Sequence, residues 1–176
     1  PSTGLSLITD DLQKLYDERD SQQGLRWRLS ALNRSLGSIR KGDFGFIFAR
    51  PETGKTTFLA SEISYFAEQT VSPILWFNNE EQGNKVQVRV YQAACNATYT
   101  QLQSNIQHYQ KKYNELTNKS IRIYDSATIT TKEVSQLCER YAPGCIIFDQ
   151  LDKIKGIEGD RDDLRLGSIY IWAREL

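Results

Sequence analysis

The sequence of 176 residues contains no methionine, a single histidine and only three cysteines. Cys95, Cys138 and Cys145 are far apart and odd in number, so they predict neither a disulfide framework nor a zinc site of closely spaced thiolates. The pattern favours buried, reduced thiols in a cytosolic protein. His108 has polar neighbours and no nearby partner ligand, which argues against a metal-binding or catalytic role. Because even an initiator methionine is missing, we expect an excerpted or processed chain.

Net charge is also lacking, since 22 basic residues balance 22 acidic ones. This balance excludes a global basic surface for nucleic acid, so any such contact must be local or shared among subunits. No apolar run approaches the roughly 20 residues that a membrane-spanning helix needs, and no signal peptide is recognisable. The hydrophobic content of 39% is ordinary for a globular chain, and the length suits one domain with a real core.

Short apolar runs alternate with segments of helical periodicity along the whole chain. The predicted strands lie at 44–49, 74–77, 121–124 and 145–149. The predicted helices lie at about 10–20, 55–69, 84–96, 101–116, 131–141 and 162–176. Near-continuous apolar strands are typical of parallel strands that are buried on both faces. The sequence therefore predicts an α/β fold with a parallel sheet between helices. The last predicted helix runs to the chain end, so we expect a domain that is incomplete at its C-terminus.

The stretch GFIFARPETGKTTF at 44–57 has the strand, tight loop and helix pattern of a P-loop. Backbone N–H groups of such a loop wrap a polyphosphate, and the helix N-terminus adds a positive dipole. Lys55 would reach the β- and γ-phosphates, and the Thr56 hydroxyl would bind Mg²⁺. We therefore predict that ATP is bound by Ala49, Arg50, Pro51, Glu52, Thr53, Gly54, Lys55, Thr56 and Thr57. Ala49 stands where glycine is usual, and its methyl group requires a negative φ without blocking the phosphates.

Asp149 follows four apolar residues, which is the Walker B arrangement. A carboxylate that ends a strand beside the P-loop belongs to the Mg²⁺ shell, directly or through water. An ordinary aspartate that begins a turn would be an equal interpretation if the P-loop were absent.

Two adjacent acids, Glu80 and Glu81, follow the second predicted strand in FNNEEQ. A carboxylate at the carboxyl end of a neighbouring parallel strand points into the ligand crevice. There it could orient or deprotonate the water that attacks the γ-phosphate. We favour Glu80 as the catalytic residue, but the adjacent pair leaves the choice open, and two solvated loop glutamates are the competing interpretation.

Four stretches together resemble the RecA-fold motor domain of DnaB-type replicative hexameric helicases, including the helicase part of phage primase–helicases. They are Leu32-Asn33 to Gly42-Asp43, ARPETGKTTF at 49–58, FNNEE at 77–81 and IIFDQLDKI at 146–154. The resemblance covers about 29–176 and leaves 1–28 as a linker helix and loop. It implies a Mg²⁺-dependent ATP hydrolase that moves along single-stranded DNA as a ring hexamer. It also implies no membrane association and a cytoplasmic location in a bacterial or phage-infected cell.

The resemblance assigns the roles above to Lys55, Thr56, Glu80 and Asp149, and it implies that the first helix docks on an adjacent protomer. Packing of that helix on its own domain is the alternative. Asp152 stands where this group often has an amide. The γ-phosphate sensor, the arginine finger and the main DNA loop are expected beyond Leu176, so we expect this chain to bind nucleotide and hydrolyse it poorly.

The polar segment 153–165 lies where RecA-fold proteins often place a DNA-binding loop of the central channel. Its basic residues, Lys153, Lys155, Arg161 and Arg165, are weak candidates for contacts with DNA phosphates. Acidic residues in the same segment make a solvated loop the competing interpretation. Two other functions remain open: a RecA- or clock-type ATPase in recombination or signalling, and a non-hydrolysing nucleotide-binding scaffold module.

Overall fold

The computed structural model describes residues 11–21, 24–50, 52–157 and 162–176. Its sheet contains three parallel strands, β1 (Ile74–Asn78), β2 (Ile121–Asp125) and β3 (Cys145–Asp149), in the order β2-β1-β3. Asn78 at the end of β1 pairs with Asp125 on one side and with Asp149 on the other. The three strands therefore end level, and the loops that follow them meet at one edge of the sheet.

The described residues contain eight α-helices. They are α1 (Leu12–Ser21), α2 (Ser30–Leu36), α3 (Lys55–Ala67), α4 (Gly83–Cys95), α5 (Tyr99–Ser104), α6 (Ile106–Thr117), α7 (Thr131–Tyr141) and α8 (Asp162–Glu175), and a 3-10 helix spans Leu151–Lys153. None of the helices in this part of the chain is long and apolar enough to cross a membrane.

Helices cover both faces of the sheet, as the sequence predicts. All five residues of β1 are buried, and its side chains alternate between two apolar clusters. Trp76 packs with residues of α3, α4 and α6, whereas Phe77 packs on the other face with residues of α7 and α8. A central strand that is apolar throughout needs this double cover, because both of its faces must be removed from water.

The strand predicted at 44–49 is wrong. Residues 43–50 have no regular secondary structure and are exposed, and they form no ladder with β3. Phe46 instead packs on Tyr170 of α8 and on Phe44, with ring centroids 5.0 and 4.9 Å apart. An apolar run indicates only that side chains seek contacts. A strand also needs a hydrogen-bonding neighbour, and this segment makes its contacts through side chains.

The single helix predicted at 101–116 is also wrong, because α5 and α6 are separate helices that meet at Asn105. Asn105 has φ −152° and ψ 72°, and its side chain caps α6 by accepting a hydrogen bond from the His108 N–H at 3.1 Å. Asparagine side chains compete with the helical backbone through such local bonds. The apolar rhythm of the segment continues across the break and does not reveal it.

The segment that leads to the P-loop is fixed on α3. The Arg28 backbone N–H donates to the buried carboxylate of Glu62 at 2.6 Å, and the Arg28 guanidinium donates to the Ser61 carbonyl and the Ser64 hydroxyl. Trp27 packs edge-on against Phe66 at 5.5 Å. These contacts hold the helix that begins at the P-loop against the chain that precedes it.

The loop after β1 is tightly packed at Gly83, the first residue of α4, and a substitution there tests this packing. A Cβ added to Gly83 would lie 2.7 Å from Asp125 Oδ2, and that oxygen accepts the Gly83 N–H at 2.8 Å. Asp125 would have to move, so we expect Gly83→Ala to lower the free energy of unfolding by about 1–3 kcal/mol. Urea unfolding monitored by circular dichroism measures this change.

Gly167→Ala in α8 is the matched control, because nothing lies within 4 Å of the added Cβ. We expect it to raise the free energy of unfolding by up to about 1 kcal/mol, since alanine is the better helix former. Equal stabilities of the Gly83→Ala variant and the wild type would contradict the tight packing described for this loop.

Candidate nucleotide-binding site

The loop before α3 leaves open space at the helix N-terminus. Gly54 caps the helix with φ 96° and ψ 19°, and no atom lies within 4 Å of a Cβ placed on it. Thr53 folds back on Arg50, whose carbonyl accepts from the Thr53 hydroxyl at 2.7 Å and from its N–H at 3.3 Å. The N–H groups of the first turn, which have no intrahelical partner, and the positive end of the helix dipole therefore adjoin open space beside Gly54, which suits an anion.

The other predicted phosphate-loop residues are only partly described. Ala49, Arg50, Glu52 and Thr57 are exposed, and Glu52 has φ 63°. Pro51 lies outside the described residues. The loop thus offers backbone and solvent-accessible side chains on the side where α3 begins.

Lys55, the first residue of α3, makes ion pairs with two carboxylates. Its Nζ lies 2.7 Å from Glu80 Oε2 and 3.2 Å from Asp149 Oδ1. Burial lowers the pKa of Lys55, but the hydrogen bond to Glu80 and the charge of Asp149 outweigh burial and raise that pKa above its usual value. The ammonium group is therefore protonated at neutral pH, and an added anion would compete with the two carboxylates for it.

Asp149 ends β3 with a side chain that is fully removed from solvent. Burial raises the pKa of Asp149, and the neighbouring charge of Lys55 opposes the rise. Asp149 Oδ2 accepts a long hydrogen bond from the Thr56 hydroxyl at 3.3 Å, whereas Oδ1 has the ion pair with Lys55 and no directed hydrogen bond. The carboxylate thus keeps spare acceptor capacity beside a hydroxyl group.

The paired oxygens of Thr56 and Asp149 fit a magnesium ion that arrives with a nucleotide. Hydroxyl and carboxylate oxygens are the hard ligands that Mg²⁺ prefers, and Mg²⁺ is usually held by one or two protein groups together with phosphates and water. No cluster of three or more histidine, cysteine or acidic residues in the described part of the chain could hold a metal by itself. The donor set therefore suits Mg²⁺ bound with phosphate and does not suit a self-contained metal centre.

Glu80 and Glu81 have different surroundings, a difference that their adjacency in the sequence conceals. Both carboxylate oxygens of Glu81 accept hydrogen bonds from the guanidinium of Arg89 in α4, and this pairing lowers the pKa of Glu81. Glu80 turns toward the P-loop, where the hydrogen bond from Lys55 lowers the pKa of Glu80. Only Glu80 of the two contacts the other candidate site residues.

A polar cluster around the buried Asn78 holds the loop that carries these two glutamates. The Asn78 side-chain amide donates to Asp125 Oδ1 at 2.9 Å and to the Glu81 carbonyl at 2.5 Å. Asp125 Oδ2 accepts from the Gly83 N–H at 2.8 Å. Sequence reasoning missed Asn78, Asp125 and Arg89. The polar residues that end two neighbouring apolar strands were the available signal for the first two.

The four candidate DNA contacts do not all belong to one irregular loop. Lys153 is exposed in the 3-10 helix after β3, and its charge also helps to lower the pKa of Glu80. Lys155 is exposed, and its backbone bonds to Ile129 and Thr131. Arg165 lies in α8 and donates to the Asp152 carbonyl at 3.2 Å. Arg161 lies outside the described residues.

Comparison with known proteins gives a family match and structural likenesses. The model of the DnaB-like helicase C-terminal domain matches residues 24–176. No curated protein matches the sequence significantly. Among solved structures, the chain is similar to an ATPase domain, with a TM-score of 0.72 and 18% identity over 93% of this chain and 64% of that one.

A second similar structure is that of a DnaB-like replicative helicase, described with its interactions with primase. Its TM-score is also 0.72 at 18% identity, and the match covers 93% of this chain and 43% of that protein. The chain therefore spans about two fifths to just under two thirds of these proteins. At this identity the likeness shows the fold, that of RecA-like helicase ATPase domains.

The family model matches all but the first 23 residues of the chain. The protein therefore belongs to the family of DnaB-like helicase C-terminal domains.

Proposed function

We propose that this chain is the ATP-binding motor domain of a DNA helicase that couples hydrolysis of Mg²⁺-bound ATP to movement along single-stranded DNA. The observation that carries the proposal is the pair of contacts from Lys55 to Glu80 and Asp149, at the N-terminus of α3. Three groups from separate segments converge there, in a chain of the DnaB-like family. The arrangement is the one that phosphoryl transfer needs, namely a phosphate-binding cation, a metal-binding carboxylate and a base.

Each of these side chains has a distinct role in the proposal. Lys55 binds the β- and γ-phosphates and exchanges its ion pairs with carboxylates for contacts with phosphate oxygens. Thr56 and Asp149 hold Mg²⁺, which neutralises charge on the phosphates when bound. Glu80 orients the attacking water and accepts its proton. A glutamate is ionised at neutral pH, as a proton acceptor must be, and the hydrogen bond from Lys55 lowers the pKa of Glu80 further before the nucleotide binds.

We also propose that the domain works in a homo-oligomeric ring, in which neighbouring subunits complete the site. Exposed side chains in two places, the site and α1, support this proposal. The site is open on one side, since the Lys55 and Glu80 side chains are 24% and 34% exposed. In the linker segment, Leu12 and Tyr16 of α1 expose 70% and 54% of their surface. Apolar side chains at such exposure favour docking of α1 on an adjacent protomer over packing on its own domain.

Single-stranded DNA is the proposed track of the motor, and the cytoplasm of a bacterial or phage-infected cell is its proposed location. Exposed Lys153 and Lys155, close behind Asp149 in the chain, are the described residues that best support a DNA contact near the site. Their cations could bind phosphates without reading sequence.

Lys55→Ala should abolish or strongly weaken nucleotide binding. A hydrogen bond to a charged group contributes about 1.5–3 kcal/mol, so we expect the dissociation constant of Mg²⁺-ATP to rise at least about 10-fold. Titration of a fluorescent ATP analogue into the isolated chain measures this change. Lys111→Ala is the control, because the Lys111 side chain is 79% exposed on α6 and its only described ion pair is the 3.8 Å contact with Glu115. Unchanged affinity of the Lys55→Ala variant would refute the phosphate-binding role.

Glu80→Gln should retain ATP binding and stop hydrolysis in the full-length protein. Loss of a general base lowers turnover by at least about 100-fold. The control is Glu81→Gln, which removes the same charge one residue away. We expect it to change turnover less than about 5-fold, since a partly exposed ion pair such as that with Arg89 contributes at most about 1 kcal/mol. A larger loss of turnover for Glu81→Gln than for Glu80→Gln would exchange the two roles.

A further inference from the structure

One side-chain hydrogen bond joins the loop after β1 to the turn after β3. Asn79 Nδ2 donates to the backbone carbonyl of Gln150 at 3.0 Å, across 71 positions of sequence. Asn79 immediately precedes Glu80, and Gln150 immediately follows Asp149. The bond therefore connects the two segments that carry the carboxylates paired with Lys55.

Gln150 has a backbone conformation that needs support. Its φ of 72° and ψ of 75° lie in the left-handed region, which residues other than glycine and asparagine rarely adopt. Such strain persists only where surrounding contacts hold it. The Gln150 carbonyl accepts from Asn79 Nδ2 and, at 3.2 Å, from the Lys153 N–H of the 3-10 helix. The Asn79 amide is the contact that reaches this peptide group from outside its own turn.

Packing alone does not account for an asparagine at position 79. The Asn79 Oδ1 atom is buried and has no hydrogen-bond partner among the described residues. A buried amide oxygen without a partner destabilises a fold, and an apolar side chain of similar size would avoid that cost. What the amide contributes is therefore the bond that its nitrogen donates to Gln150.

We propose that Asn79 is a positioning residue for ATP hydrolysis. Its hydrogen bond to the Gln150 carbonyl fixes the position of Glu80 relative to Asp149. The inference rests on the proposed function. Lys55 contacts both carboxylates, at 2.7 and 3.2 Å, so Glu80 and Asp149 lie on either side of one ammonium group. In the proposed reaction Glu80 must reach the attacking water while Asp149 would help to hold the metal, so the rate depends on their relative position. A displacement of about 1 Å in a catalytic group can cost about 100-fold in rate.

Steady-state ATP hydrolysis by the full-length protein tests the proposal in the Asn79→Leu and Asn79→Asp variants. Leucine keeps the number and branching of the heavy atoms, and aspartate keeps the shape but presents an oxygen to the Gln150 carbonyl. We expect kcat to fall by about 10- to 100-fold in both, with KM for ATP close to that of the wild type in Asn79→Leu, which adds no charge. KM should hold because the phosphate contacts of Lys55 and Thr56 remain. Asn114→Leu on α6 is the control, since it removes an amide whose described side-chain bond is to Gln110.

A second variant, Gln150→Gly, tests whether the effect passes through the turn after β3. Glycine adopts a positive φ without support, so it removes the need to hold this peptide group. The single variant also loses the Gln150 side chain, whose hydrogen bond helps to lower the pKa of Glu80, so its own kcat is the reference for the double variant. If Asn79 acts through Gln150, the double variant should lose no more kcat than the more impaired single variant. Losses that multiply would show independent effects and would overturn the proposed route.

The remaining outcomes separate this inference from the function on which it rests. Wild-type kcat in the Asn79→Leu variant would overturn the positioning role, and so would a fall in melting temperature with parallel changes in kcat and KM. If the wild type hydrolyses ATP, Lys55→Ala loses this activity and Asn79→Leu keeps it, the proposed function would stand and the positioning role of Asn79 would be overturned. No hydrolysis by the wild-type protein would overturn both.

Discussion

The candidate site depends on one lysine that is shared by two carboxylates. Asp149 has no exposed side-chain surface, and a buried carboxylate is unfavourable unless a cation or hydrogen-bond donors accompany it. Lys55 supplies that cation and also contacts Glu80. The ion pairs require that the N-terminus of α3 and the ends of β1 and β3 meet at one point. The level strand ends and the packing of α3 on the sheet bring these groups together.

The same ion pairs define what a nucleotide must do on binding. Within contact distance of Lys55, two carboxylates face one ammonium group, and a polyphosphate alone would add more negative charge. A divalent cation bound by the oxygens of Thr56 and Asp149 would restore the balance and free Lys55 for the phosphates. The electrostatics of these contacts therefore favour a metal–nucleotide complex over a bare nucleotide as the ligand.

The sequence patterns located β1, β2 and β3 to within one residue. β1 and β3 leave short apolar runs of a length that helices do not use, whereas β2 includes the exposed Arg122 between two isoleucines. They failed at 44–49, where apolar side chains pack without a hydrogen-bonding neighbour, and at Asn105, where a local side-chain bond breaks the helix. Periodicity records which side chains seek burial. It does not record which backbone groups find partners.

For the site, the loop and strand-end patterns pointed to Lys55, Thr56, Glu80 and Asp149, and the structure brings these four residues together. The patterns could not separate Glu80 from Glu81, because the difference lies in Arg89 of the next helix. Asn79 and Gln150 were missed as well, since the positive φ of a glutamine and a bond across 71 residues leave no local signal. The sequence reveals residues whose own side-chain chemistry identifies them. It does not reveal the residues whose hydrogen bonds position them.

Steady-state ATP hydrolysis by the full-length protein, with and without single-stranded DNA, tests the central claim most directly. The account predicts Mg²⁺-dependent turnover that rises clearly when DNA is added, as expected of a motor whose track stimulates its chemistry. Hydrolysis that is indifferent to DNA would contradict the motor assignment and favour a clock-type or regulatory ATPase. Binding of ATP without any hydrolysis would leave only a nucleotide-binding scaffold.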